Sequence, residues 1–192
     1  MITSREVAAM DKRNERTRAV LKDALVDSLK KKRLADVSVS ELCLAAAVSR
    51  STFYSNYQNV SNVFRALVED FAKETRSVNV QIHCRKCREE VDGKLPYCIA
   101  VRTTVRYGDV VREDCFLPLY LDALEFDSTR SQFLNPFLEL GLSPEVASNV
   151  MRFQMAGCHA AALREPDDAI WLETQERIDA FIAGGLNALR AR

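Results

Sequence analysis

Apolar residues recur along most of this chain at spacings of three and four, and strict alternation of the strand kind is scarce. From Asn14 to Arg33, Leu21, Leu25 and Leu29 repeat every fourth residue with Val20 and Ala24 beside them. This predicts an amphipathic first helix that ends in the basic cluster Lys30-Lys31-Lys32-Arg33, with Arg13, Arg16 and Arg18 near its start. Ser38-Val39-Ser40-Glu41 has the spacing of a capping box, so a second helix is expected there, with Leu42, Ala45 and Ala46 as a small apolar face. Ala47-Val48-Ser49 reads as a turn, and Ser49 as the N-cap of a short third helix from Arg50 to Tyr57. After Gln58-Asn59 a fourth helix is expected to run to about Arg76 on the stripe Val63, Leu67, Val68 and Phe71.

From Ser77 to Gly93 the periodicity fades and polarity rises, which predicts a break. Helical spacing returns around 95–107, 113–125 and 130–140. Two longer helices are expected to close the chain, one from the N-cap Ser143 to Arg164 and one from Asp167 to Arg190, separated by Pro166. There are no internal repeats and no low-complexity tracts. The fold expected is all-α.

Composition sharpens this only at one point. The 192 residues are 47% hydrophobic and 28% charged, ordinary for a globular protein, and no apolar run approaches the roughly 20 residues of a membrane helix. Met1 to Arg16 has no apolar core and no small-residue cleavage site, so a secretory signal is not expected and a cytoplasmic location is. Net charge is zero, but it is unevenly placed. Residues 1–57 carry 11 Lys and Arg against 7 Asp and Glu, a net of +4, and residues 58–192 carry 16 against 20, a net of −4. A basic head on an acidic body can offer a local positive face to phosphate.

Two short helices joined by a tight turn, behind a longer supporting helix, make a helix-turn-helix, whose second helix enters the major groove with its N-terminal residues at the base edges. The third helix suits that task. Arg50, Ser51, Thr52, Ser55 and Asn56 are polar and able to donate, and Arg50 can grip a guanine edge with two hydrogen bonds. Tyr54 and Tyr57 add hydroxyls that reach phosphate while their rings pack. No acidic residue lies between Ser49 and Asn62, as a surface that meets phosphate requires.

The stretch from Ser38 to Tyr57, with its Val48-Ser49-x-x-Thr52-Phe53-Tyr54 core, and the continuation through Val63-Phe64 and Leu67, resembles the DNA-binding signature of the TetR family of transcriptional regulators over about a third of the chain. The resemblance implies that Ser38 caps the second helix and touches phosphate, that Arg50 and Ser51 lie at base edges, and that Thr52, Tyr54 and Asn56 face the backbone or groove wall; Ser40, Ser49, Ser55 and Tyr57 complete the expected DNA-binding set. Three positions depart from the pattern: Ala47 stands where the family usually has Gly, which predicts a slightly strained or differently shaped turn; Asn56 where it often has His; and Val60 where it usually has Lys, which removes a phosphate contact. The resemblance implies a helix-turn-helix domain over 1–58 with its recognition helix at about 50–57, a connecting helix over 59–76, and an effector-binding and dimerisation domain over 77–192. The partners implied are a double-stranded, pseudo-palindromic operator, a second copy of the chain and a small-molecule effector, with no membrane. Some relatives of this kind bind a protein partner instead of DNA, which stands as an alternative.

The same resemblance implies that the last two helices pair with those of a second subunit. Val146, Val150, Phe153, Gly157 and Ala161 fall on one face of the first, and Trp171, Ile178, Phe181, Ile182 and Leu186 on one face of the second. The alternative reading of such stripes is plain core within one subunit. A helix-turn-helix that reads two half-sites about 34–36 Å apart favours the dimer. Candidate walls of an effector pocket are Tyr97, Val101, Val105, Phe116, Leu119, Tyr120, Leu124, Phe133, Phe137 and Met155, a set that would take a hydrophobic or aromatic ligand.

Six cysteines raise a further alternative, metal or redox sensing on the same scaffold. His83-Cys84-Arg85-Lys86-Cys87 holds one C-x-x-C beside basic residues that favour thiolates, but no second C-x-x-C or C-x-x-H completes a zinc set, so no metal or other cofactor is expected. Cys43, Cys98 and Cys158 lie on apolar helical faces and read as buried small hydrophobes, with Cys115 a further thiol in the body. With two histidines, His83 and His159, and no nucleophile elbow, phosphate-binding glycine loop or carboxylate pair of the catalytic kind, no enzyme is expected.

Overall fold

Leu21, Leu25 and Leu29 are buried on one stripe of α1 (Ser4–Leu29), the helix that supports the first compact unit. The computed structural model describes residues 4–76, 95–126, 134–135 and 137–190. Within them the chain is helical: α1, a 3-10 turn at Leu34–Asp36, α2 (Val39–Ala45), α3 (Arg50–Tyr54), α4 (Val60–Glu74), α5 (Tyr97–Thr103), α6 (Phe116–Phe126), α7 (Pro144–Arg164) and α8 (Asp168–Arg190). The only extended pairing among the described residues is two residues long: Thr75–Arg76 runs parallel to Leu95–Pro96.

The first unit comprises residues up to Asp70 together with Asp109–Glu113; the second comprises Phe71–Gly108 and Asp114 onward. The connecting helix expected over 59–76 is therefore divided. Val60, Val63, Phe64, Leu67 and Val68 of α4 bury in the first unit, while Phe71 belongs to the core of the second. The short segment between α5 and α6 joins the first unit through Val110 and Val111, both almost wholly buried.

Several expected boundaries shift. The first helix begins at Ser4, ten residues earlier than the apolar repeat from Asn14 implied. It stops at Leu29, so Lys30 to Arg33 lie beyond its end rather than in its last turn. Val20 is exposed, turned off the buried stripe. In α2 the buried partner of Leu42 is Cys43, and Ala45 faces outward. The helix expected over 95–107 is shorter, ending at Thr103. At the other end of the molecule Ser143 caps α7 as expected, accepting the N–H of Val146 at 3.4 Å after a turn in which Gly141 takes φ 82°. Asp167 accepts the N–H groups of Ala169 and Ile170 at 2.8 and 3.0 Å, so it stands just ahead of α8 rather than inside it.

Candidate nucleic-acid interface and the helical body

The two helices of the expected DNA-reading pair are each fixed by a serine. Ser38 accepts the N–H of Glu41 at 3.3 Å, and the Glu41 carboxylate returns to the Ser38 N–H at 3.0 Å and hydroxyl at 2.7 Å, a closed capping box. Lys32 donates to the other carboxylate oxygen at 2.8 Å. The Lys32 ammonium first, and then the two Ser38 donors, hold the Glu41 carboxyl down to about 2. Ser49 accepts the N–H of Thr52 at 3.1 Å and shares hydrogen bonds of 2.8 Å with the hydroxyls of Ser51 and Thr52. Between them, Ala47 takes φ 52°, the left-handed conformation that a glycine adopts without cost and a Cβ resists.

The third helix ends at Tyr54, three residues short of expectation. Ser55 and Asn56 turn their side chains back onto it: the Ser55 hydroxyl donates to the Ser51 carbonyl at 2.9 Å and the Asn56 amide to the Thr52 carbonyl at 2.9 Å. These two residues close the helix; Ser55 remains exposed, while Asn56 is half-buried and its Oδ1 has no partner among the described residues. Phe53 is fully buried, with Tyr54 edge-on to it at 5.4 Å between ring centres and Tyr57 at 6.3 Å. Tyr57 is half-buried beneath the guanidinium of Arg18, 5.9 Å from its ring centre. Outward stand Arg50, Ser51 and Tyr54, the last 59% exposed. Ser40, on the exposed face of α2, accepts a hydrogen bond from Arg50 at 2.5 Å.

Sequence reasoning passed over two features of this unit. Leu44 on α2 is 83% exposed, which its apolar character hid. Glu113 holds the N–H of Leu34 at 3.1 Å and stands 4.0 Å from the Arg33 guanidinium. The only local signal for that clip was the adjacent pair Val110-Val111 in an otherwise polar stretch.

In the second unit, the residues expected to wall an effector pocket divide. Tyr97, Phe116 and Tyr120 pack ring to ring with Phe71, and Tyr107 adds an edge-on contact to Phe71 at 5.4 Å. Tyr97 donates to or accepts from His159 Nδ1 at 2.7 Å, and His159 stacks on Phe116. Burial pushes the phenols of Tyr97 and Tyr120 well above their ordinary value, so both stay neutral. Val101, Leu124, Phe137 and Met155 are also buried and Leu119 half-buried. Val105 is 96% exposed and walls nothing. Phe133 lies outside the described residues, as do His83, Cys84 and Cys87. Cys43 and Cys98 are buried, and Cys158 is half-buried with its thiol pushed up to about 11, chiefly by burial.

Between α7 and α8 runs a groove of about 600 Å³, lined almost wholly by apolar groups. Val150, Phe153, Gly157, Ile178, Phe181, Ile182 and Leu186 of the expected pairing face line it, together with Phe137. Phe153 and Phe181 are each 75% exposed, Val146 is exposed and Ala161 half-buried. Trp171 departs from that face: it is buried inside the subunit, with the Arg102 guanidinium 4.8 Å over its ring. Arg102 is pinned there by Asp168 at 2.7 Å and by the Glu165 carbonyl.

Among the described residues no group of three His, Cys, Asp or Glu side chains is placed to hold a metal, and no helix is long and apolar enough to cross a membrane. No family model, curated protein or solved structure matches this chain.

Proposed function

We propose that this chain is a sequence-specific DNA-binding transcriptional regulator of the TetR type, a homodimer that represses from a pseudo-palindromic operator and is released by a small-molecule effector. The observation that carries the reading is the pair α2–α3: two short helices, each closed by its own serine cap, presenting Arg50, Ser51 and Tyr54 on a stretch free of carboxylates from Ser49 to Asn62. A major-groove reader needs that combination of rigid placement, donors and absent negative charge.

The exposed apolar groove between α7 and α8 supports a second copy as its occupant, since a lone subunit would leave Phe153 and Phe181 in water. Two copies supply two recognition helices for two half-sites. The effector acts by binding the second unit with different affinity in the DNA-bound and released states; without that difference it shifts nothing.

Fluorescence anisotropy of the purified protein on DNA from upstream of its own gene, with scrambled competitor present, tests the reading. Saturable binding that survives the competitor and weakens steeply with salt is the expected result. Binding no tighter than to scrambled DNA, for this and for other genomic fragments, counts against it.

A further inference from the structure

We infer that Ser40 is a positioning residue for base reading: it holds the Arg50 guanidinium in place before DNA arrives and thereby sets which base pair that side chain reads. The inference rests on the DNA-reading function proposed above. Arg50 is the only Lys or Arg between Arg33 and Arg65, so it is the one cationic side chain the α2–α3 pair can bring to a base edge. It is the first residue of α3, exposed, on a long side chain with much rotamer freedom to lose on binding. In the structure that freedom is already spent. A guanidinium nitrogen donates to Ser40 Oγ at 2.5 Å, across the turn from one helix to the other. Both ends of this bond are rigidly mounted, because Ser40 sits in the first turn of α2, closed by the Ser38–Glu41 box, and Arg50 follows directly on the Ser49 cap of α3.

The chemistry leaves the reading function intact. A guanidinium carries five N–H donors, and one bond to Ser40 leaves the rest for the two acceptors of a guanine edge. Holding a flexible side chain in its bound direction lowers the entropy lost on association, and it penalises sites where the guanine is displaced by a base pair.

Selection of binding sites from a pool of random duplexes by the full chain separates the possible outcomes. The wild type is expected to enrich a motif in which Arg50→Ala erases the preference at one base pair of each half-site. Ser40→Ala is expected to weaken the preference at that same base pair by three- to tenfold while leaving the other positions and the thermal midpoint unchanged, and Ser40→Thr, which keeps the hydroxyl, to restore it. Alanine at an exposed helical position does not threaten folding. Enrichment by Ser40→Ala of the unaltered wild-type motif, or a loss spread evenly over all positions, overturns the positioning role and leaves DNA reading standing. Failure of the wild type to enrich any motif overturns both.

Discussion

The carboxylate of Glu113 accepts the backbone N–H of Leu34 at 3.1 Å, across 79 residues of chain. Leu34 opens the 3-10 turn that leads into α2, and Val110 and Val111 are buried residues of the same unit. A loop from between α5 and α6 thus completes the unit that carries α2 and α3. Glu113→Ala leaves that N–H unpaired and is expected to destabilise the unit by about 1–3 kcal/mol. Denaturant midpoints of the variant and the parent check this. An unchanged midpoint means that water replaces the carboxylate at no cost.

The capping box gives a pH signature. The Glu41 carboxyl titrates at about 2 in the folded chain, below its ordinary 4.5, because Lys32 and Ser38 favour the charged form. A depressed folded-state value means that its stabilising contribution is complete above about 4.5 and is lost as pH falls toward 2. The expected result is a carboxyl chemical-shift midpoint for Glu41 well below those of carboxylates without such partners, and loss of that acid-side dependence in Glu41→Gln. A midpoint near 4.5 would show the box open in solution.

Ala47 holds φ 52° in the turn between α2 and α3. A left-handed alanine costs about 1–2 kcal/mol and glycine's extra freedom in the unfolded chain about 0.5–1 kcal/mol, so Ala47→Gly is expected to stabilise the protein by about 0.5–1 kcal/mol. Thermal unfolding reads it directly; a destabilised variant would mean that the turn relaxes without strain.

What the sequence revealed of this molecule followed the range of the forces involved. Ser38, Glu41, Ser49 and Ser143 were legible because capping is a matter of three residues, and the stripe from Val63 to Phe71 because helical period alone decides it. The end of α3 was not, since it depends on Ser55 and Asn56 choosing backbone carbonyls over solvent. Trp171 looked like a pairing residue by its spacing, and only the fold brings Arg102 over its ring. The role of Val110, Val111 and Glu113 was hidden for the same reason: their partners are far away in sequence. The Ser40–Arg50 bond lies between these cases, ten residues apart, with both ends in the expected DNA-binding set and their contact not foreseen.

Gly157 offers a test of the second copy that a mutation in ordinary core would not. It sits inside α7, where glycine costs about 1 kcal/mol relative to alanine, and a Cβ built on it meets nothing within 4 Å among the described residues. Nothing among the described residues therefore requires a glycine there, yet it lines the apolar groove beside Phe153 and Phe181. A helix from another copy, approaching closely, does require one. Gly157→Ala is then expected to stabilise the dissociated subunit slightly while weakening assembly about tenfold or more, and Gly157→Leu to prevent it. Sedimentation equilibrium separates the effects: the parent should run at twice its 21.7 kDa chain mass and the leucine variant at the chain mass, with helical content retained. A parent that runs as a single chain at every concentration, or variants that assemble as tightly as the parent, would leave the groove without its proposed occupant.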